Sequence, residues 1–429
     1  MERWDSIDRL LATGRRNRMS RNQPHTRSSL RHRLALPLVV VAALLASPTM
    51  AQKRYGPGVS DTEIKIGQTM PYSGPLSGMG THGRTMAAYF VKVNEEGGVN
   101  GRKINLLSLD DGYSPPRTVE QTRKLVVQEE VLLLFGSFGT ATNAAIQRYA
   151  NAKRVPQLFL ISVGTKFHDP KNFPWTMAFV PAAQIEAHAY AKYILTNYPS
   201  AKIGILYQND DFGKDLLSGL KESLGDKAAR MIVSEVSYEV TDPTVDQQIV
   251  SIKGSGADVF VSFASAKLSA QAIRKVYDIG WKPVYIVPIG GSAKHTVLEP
   301  AGLEKAVGLI SGSWLKDPSD PQWAQDVGVQ DYLAFMKKYY PEGDPADIFN
   351  VNGYTMAQTM TEILRRCGDD LTRENVMRHA TSLKDLEQQM LLPGIKINTS
   401  PQDYYPVKQV QLARFDGSRW VRFGDLMGQ

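Results

Sequence analysis

A single cysteine, Cys367, serves all 429 residues, so no intramolecular disulfide can form and stability has to come from a packed core. It follows Ile363-Leu364-Arg365-Arg366 at the expected end of a helix, where a buried, inert thiol is the reading rather than a nucleophile. The apolar run Leu34 to Ala46 has 13 residues, against the roughly 20 that a membrane-spanning helix requires, which argues against a permanent anchor. The seven histidines, at 25, 32, 82, 168, 188, 295 and 379, form no i, i+4 pair and no cluster with cysteine or carboxylates. No metal or other cofactor is therefore expected. Gly290-Gly291-Ser292 and Ser313-x-x-Lys316 are fragments of nucleophile motifs without the companions that would make them catalytic, so both read as structural loops.

What the sequence does have begins with residues 31 to 51. A basic flank, an apolar run and a small-x-small end have the layout of a secretory signal peptide. Cleavage is expected after Ala51, leaving an exported, soluble mature chain that starts at Gln52. The stretch before Arg31 is long for such a leader, and Met19 is an alternative start that leaves the mature chain unchanged. The formal charge of +7 belongs mostly to the leader, since residues 52 to 429 carry 41 basic and 40 acidic side chains. No basic stripe suited to a polyanion remains, so nucleic acid is not an expected partner. The 378 mature residues exceed the size at which one core stops growing, and two lobes are expected.

From Glu63 onward, short β-branched or apolar runs alternate with amphipathic ones, the pattern of an α/β protein. Strands are expected at Glu63 to Met70, Lys103 to Leu109, Val131 to Phe135 and Gln157 to Ile161. Helical runs lie between them at Gly83 to Glu96, Pro116 to Glu129 and Thr142 to Lys153. The alternation restarts with a helix at Ala182 to Asn197 and strands at Lys202 to Tyr207, Met231 to Tyr238, Asp258 to Phe263 and Val284 to Val287. Two such series predict two doubly wound lobes. A further strand at Gly308 to Trp314, helices at Gln322 to Tyr339, Asn352 to Arg366 and Arg373 to Ala380, and a hairpin over Val407 to Phe415 and Trp420 to Phe423 complete the chain.

Gly78-Met79-Gly80-Thr81-His82-Gly83 matches G-x-G-x-x-G, but Pro71 to Ser77 separate it from the preceding strand, which disfavours a dinucleotide site. It reads instead as a Gly-rich loop whose backbone approaches something closely. In Asp210-Asp211, helix capping is preferred over an acid pair. The segment from Phe135 to Asn143 runs from a strand through a small, hydroxyl-rich turn into a helix, bringing free N–H groups and Thr hydroxyls to one point. Such a point can bind a carboxylate; simple N-capping by Thr140 or Thr142, which needs only one hydroxyl, is an equal reading of the segment alone.

The order of segments resembles the periplasmic substrate-binding proteins of the Leu/Ile/Val-binding type, which serve ABC transporters. The resemblance runs from Gly58 to the C-terminus. It is carried by Ile64-Lys65-Ile66-Gly67, Ser73 to Gly80, Asn94 to Arg102, Gly136 to Thr142, Tyr207 to Gly213 and Phe415-Asp416-Gly417. It implies a type I periplasmic binding protein: two doubly wound, Rossmann-like lobes joined by three crossovers, near Val180, Gly312 and Met390. The expected N-terminal lobe is 52–180 plus 313–390, and the C-terminal lobe is 181–312 plus 391–429. A ligand would lie between them, its carboxylate on Gly139 and Thr140 beside Phe138 and on the loop containing Ser162, Gly164 and Thr165. Phe212 would cover it, Met79 would touch its side chain, and Ser265, Ile289 and Gly290 would face it from the other lobe.

The resemblance has a departure. Relatives that bind α-amino acids place an acid in the loop that here reads Val287 to Ala293, and no carboxylate occurs there. An unpaired buried ammonium costs several kcal/mol. An aromatic or short aliphatic acid without an amino group is therefore the expected ligand, with Phe138, Phe167, Phe212 and Trp175 as candidate walls. Asp211 is one residue that could replace the missing acid and keep branched-chain amino acids or amides open. The expected partners are this carboxylate and an inner-membrane ABC permease, with the receptor acting as a monomer and not as an enzyme. The alternatives are a ligand-sensing receptor for a signalling partner and an exported α/β enzyme. The leader generates the first prediction: intact-mass analysis of the exported protein should place its first residue at Gln52, and an N-terminus retaining residues 31 to 51 would refute cleavage.

Overall fold

The computed structural model describes residues 53–428; the proposed leader lies outside them. The first sheet contains β1 (Glu63–Met70), β2 (Lys103–Asp110), β3 (Leu134–Phe135), β4 (Gln157–Leu160) and β5 (Thr176–Ala178), all parallel, in the order β2-β1-β3-β4-β5. Between them run α1 (Thr81–Glu95), α2 (Pro115–Arg123) and α3 (Thr140–Ala152). Sheet residues such as Ile64, Ile66, Phe135 and Leu158 are buried beneath Met86 and Phe90 of α1, and apolar surface taken from water on both faces of a parallel sheet is its main stabilisation.

After α4 (Ala183–Asn197) the chain forms β6 (Ile203–Gln208), α5 (Asp211–Leu224), β7 (Ile232–Tyr238), α6 (Asp246–Gly254), β8 (Val259–Phe263), α7 (Ala266–Asp278), β9 (Val284–Ile286) and β10 (Ile310–Ser313). It then returns to the first lobe as α8 (Val327–Tyr339), α9 (Ile348–Cys367) and α10 (Arg373–Ala380). The helices dock on α1, where Asn350 Oδ1 accepts from the hydroxyls of Thr81 and Thr85 and Tyr89 packs edge-on against Tyr354. The antiparallel hairpin β11 (Gln409–Phe415) and β12 (Trp420–Gly428) closes the second sheet in the order β12-β11-β10-β9-β8-β6-β7. The chain therefore passes between the sheets three times, and two of the passages pair antiparallel through Lys316 N–H to Met390 C=O (2.8 Å) and Leu392 N–H to Trp314 C=O (3.0 Å).

Differences from the sequence reading have local causes. Residues 131–133 run beside β1, with Leu132 N–H on Lys65 C=O, but ladder pairing starts only at Leu134. β5 has three residues without a β-branched run and gave no periodic signal. Trp323 belongs to a separate turn, and α8 starts after Asp326, whose carboxylate accepts from Val329 N–H. β12 extends to Gly428 across a register shift near Gly424, which has φ +68°, and this breaks the two-residue alternation. α9 starts one turn earlier than expected because Asp347 caps it, accepting from Phe349 N–H at 2.9 Å. Cys367 is buried at the end of α9, and burial pushes its thiol up to about 12, which fits an inert role.

Close packing beside the cleft generates a paired prediction. A Cβ on Gly213, in the first turn of α5, would lie 2.1 Å from Gln208 C=O, whereas one on Gly254, at the end of α6, would meet nothing within 4 Å. Gly213→Ala should cost ~1–3 kcal/mol by overpacking, and Gly254→Ala should be neutral or stabilising by a few tenths of a kcal/mol or more. Urea titration of the two variants checks this, and equal midpoints would contradict it.

Candidate functional site

The carboxyl ends of the strands in both sheets open on one cleft, the usual ligand position in doubly wound folds. A cavity of about 800 Å³, counting the part open to solvent, lies there. Its walls are mostly apolar: Met79 from the turn after β1, Phe138 before α3, Phe212 from α5, Ile289 after β9, Trp314 from a crossover and Phe349 from α9.

The β3–α3 turn supplies one polar wall. Gly139, at φ +101°, precedes α3, and a Cβ there would lie 2.5 Å from both Thr142 Oγ1 and the Tyr113 ring, so only glycine fits without strain. Thr142 turns its hydroxyl back to Phe138 C=O and does not cap the helix, and the first amides of α3 have no intrahelical acceptor. Thr140 Oγ1 lies 2.8 Å from Ser162 Oγ, which also accepts from Gly164 N–H at 3.1 Å. Whichever hydroxyl donates to the other, one proton remains to be aimed at an acceptor, beside a helix end that favours negative charge.

An acid lines the cavity, but it comes from neither the Val287–Ala293 loop nor Asp211. It is Glu186, in the first turn of α4 and 1 % exposed. Its Oε1 accepts from Ile289 N–H (2.8 Å) and Tyr190 O–H (2.9 Å), while its Oε2 has no partner. Burial raises Glu186 to about 7, against the pull of the Ile289 and Tyr190 hydrogen bonds. The Tyr190 oxygen also lies 3.0 Å from Val287 C=O and accepts from Gly312 N–H at 3.1 Å, at the end of β10 where the chain leaves the second sheet.

The other polar groups of the lining are more fully committed. His82 Nδ1 lies 2.9 Å from Met79 C=O, which places the ring proton there, and burial lowers the imidazole to about 4. Tyr113, from the first lobe, donates to Asp210 Oδ2 across the cleft at 2.8 Å. Gln208 Nε2 donates to the same oxygen, and Gln208 Oε1 accepts from Tyr238 and Ser265. Asp210 caps α5 through Phe212 N–H and Gly213 N–H, in line with the capping reading. No lysine or arginine is among the lining residues.

Of the residues named from sequence, Met79, Phe138, Gly139, Thr140, Ser162, Phe212, Ser265, Ile289 and Gly290 line this cavity. Gly164 and Thr165 do not. Gly164 backs the site, since a Cβ there would meet Thr140 Cγ2 at 2.8 Å, and Thr165 N–H is spent on Asp215 of the opposite lobe at 2.6 Å. Asp211 is paired with Lys166 at 2.7 Å. Phe167 is fully buried with Leu160 and Ala178, and Trp175 packs on the main core, so neither is a wall. Sequence reasoning missed Glu186, Tyr113, His82 and Asn352. The usable signal for Glu186 was its position among Ala183, Ile185, Ala187 and Ala189, on the side of the helix away from the polar Gln184, His188 and Lys192 that mark its solvent face. Gly83 of the G-x-G-x-x-G stretch serves packing, because a Cβ there would lie 2.3 Å from Tyr72 Oη.

A family model described as periplasmic binding protein matches residues 63–419. The chain is 24 % identical over 359 residues to Leu/Ile/Val-binding protein homolog 7 of Brucella abortus, covering 80 % of this chain and 86 % of that protein. Its fold is similar to that of a branched chain amino acid ABC transporter protein from Thermus thermophilus with bound valine (TM-score 0.76, 17 % identity, 86 % of this chain and 98 % of that one). It is also similar to a fatty acid ABC transporter substrate-binding protein from Thermomonospora curvata (TM-score 0.73, 19 % identity, 88 % and 95 %).

The raised pKa of Glu186 has a stability consequence. The folded state holds its proton more tightly than the unfolded chain, so the contribution is fully present below the ordinary glutamate range, falls as pH rises to about 7 and is lost above it. Glu186→Gln, which needs no proton, should gain stability relative to wild type by up to ~3 kcal/mol between pH 4.5 and 7, with no further gain above. Denaturant titrations at several pH values test this, and a pH-independent difference would contradict it.

Proposed function

The chain belongs to the periplasmic binding protein family, and we propose that it is the extracytoplasmic receptor of an ABC importer, delivering a small, mainly apolar organic acid to an inner-membrane permease. The observation that carries the reading is the Thr140–Ser162 hydroxyl pair at the start of α3, opening into an otherwise apolar interlobe cavity. The hydroxyls and helix amides hold the ligand carboxylate, and Met79, Phe138, Phe212 and Ile289 enclose its body. Relatives whose names refer to branched-chain amino acids and to fatty acids share this combination of a carboxylate and apolar carbon.

The receptor acts by binding and not by turnover. The lobes, 52–180 plus 313–390 and 181–312 plus 391–429, close over the ligand by bending at the three crossovers, and contacts from both lobes stabilise the closed form. Tyr113–Asp210, Lys166–Asp211 and the Thr165 amide on Asp215 all span the cleft, which supports reading this arrangement as closed.

Thr140→Val removes a hydroxyl from a charged ligand group at almost constant volume. Affinity should fall by ~1.5–3 kcal/mol, roughly ten- to a hundredfold. Calorimetric titration with an acid first identified by thermal shift makes the measurement, and an unchanged affinity would remove Thr140 from the site.

A further inference from the structure

The lining of the cavity holds an acid and no basic counterpart. Glu186 is buried, its Oε1 is saturated by Ile289 N–H and Tyr190 O–H, and its Oε2 is unpartnered. Asn352, on α9 in the opposite lobe, also lines the cavity, and its Oδ1 is likewise buried without a partner. Both are acceptors. Donors without a commitment are found at the other polar wall, at Thr140, Ser162 and the α3 amides. Other buried side-chain atoms among the described residues also lack a partner, but Glu186 Oε2 and Asn352 Oδ1 are the ones among them whose residues line the cavity, where an entering group can meet them.

We infer that Glu186 receives a protonated amino group of the ligand, making it the residue that selects amino acids over the matching acids that lack nitrogen. The inference rests on the receptor reading above and deepens it. It also replaces the expectation of an amine-free acid, whose premise was a loop without a carboxylate. A plain carboxylate entering beside an ionised Glu186 would place two negative charges in one apolar cavity with no cation in its walls, so it can bind well only when Glu186 carries a proton. A zwitterion instead brings the missing cation and favours the ionised form.

The two ligand classes therefore have opposite proton linkage. Glu186 touches Tyr190 on α4 and the Ile289 amide; the other titratable groups lining the cavity are His82 on α1 and Tyr113 from the β2–α2 loop, with Asp210 bonded to Tyr113. Burial holds both tyrosines well above their ordinary range and His82 near 4. Among the cavity groups with a displaced titration, Glu186 is the one that changes charge around neutral pH.

The experiment is calorimetric titration of the exported chain and of Glu186→Gln with matched pairs, leucine against 4-methylpentanoate and phenylalanine against 3-phenylpropanoate, at pH 5.5 and 8. The expected result is at least tenfold tighter binding of an amino acid than of its partner at pH 8. Its affinity should rise with pH, with proton release read from buffers of different ionisation heat. Glu186→Gln should weaken the amino acid at least tenfold, spare the plain acid and abolish the proton release. Plain acids binding as well as amino acids, with no effect of the variant, would overturn the inference and leave the receptor reading standing. Failure of both series to bind would overturn the two together. If the variant does not fold, wild-type amino-acid affinity that falls with rising pH is sufficient to reject the proposal.

Discussion

The Tyr190 hydroxyl has one proton and three neighbours, and the organisation of the cleft depends on how it is shared. It accepts from Gly312 N–H, at the point where β10 ends and the chain crosses to the other lobe, and it faces Val287 C=O at the end of β9. Its third neighbour is Glu186 Oε1. Two adjacent parallel strands separate here, and the tyrosine supplies the pairing that their backbones no longer supply to each other. A neutral Glu186 can donate to Tyr190 while Tyr190 donates to Val287, which gives the tyrosine a partner for each neighbour and leaves only Glu186 Oε2 without one. An ionised Glu186 competes with Val287 for the proton. The charge of one side chain in the cavity is thereby coupled to the backbone at a crossover.

The two polar walls of the cavity hold charge by different means. At α3 the proposed carboxylate would meet hydroxyls and oriented amides, neutral donors that need no counter-ion, in a turn where Gly139 and Gly164 are closely packed. At Glu186 the protein keeps an ionisable group in an apolar setting and leaves its protonation to be decided by what enters. A lysine or arginine in the walls would have settled both questions in advance, and the lining has neither.

Much of the framework was legible from sequence because it rests on short-range regularities. Strands with alternating apolar residues, such as Glu63–Met70, and helices with clear caps, such as Arg373–Ala380 after Thr372, fall where periodicity puts them. The turn around Gly139 and Thr140 was legible for the same reason, since a strand, a small turn and a helix start are contiguous. Glu186, Tyr113 and Asn352 were not, because each sits in a segment whose local role is ordinary. A first-turn glutamate suits a helix dipole wherever the helix lies, and only the packing of α4 against the Val287–Ile289 backbone turns it inward. Thr165 misled in the opposite direction. Its position near the site is real, but its amide is taken by Asp215, fifty residues away in sequence though adjacent in space.

The Tyr113–Asp210 contact joins the two lobes, and Asp210 is itself held by Gln208 and two helix amides. A fastening of this kind is indifferent to what lies behind it. In a receptor that closes as proposed, opening has to break this bond whatever lies behind it, together with the Lys166–Asp211 pair and the Thr165–Asp215 bond. On the proposed reading, the residues that hold the two halves together are, apart from Tyr113, distinct from those that line the cavity, so a change of any other lining residue leaves the fastening itself in place.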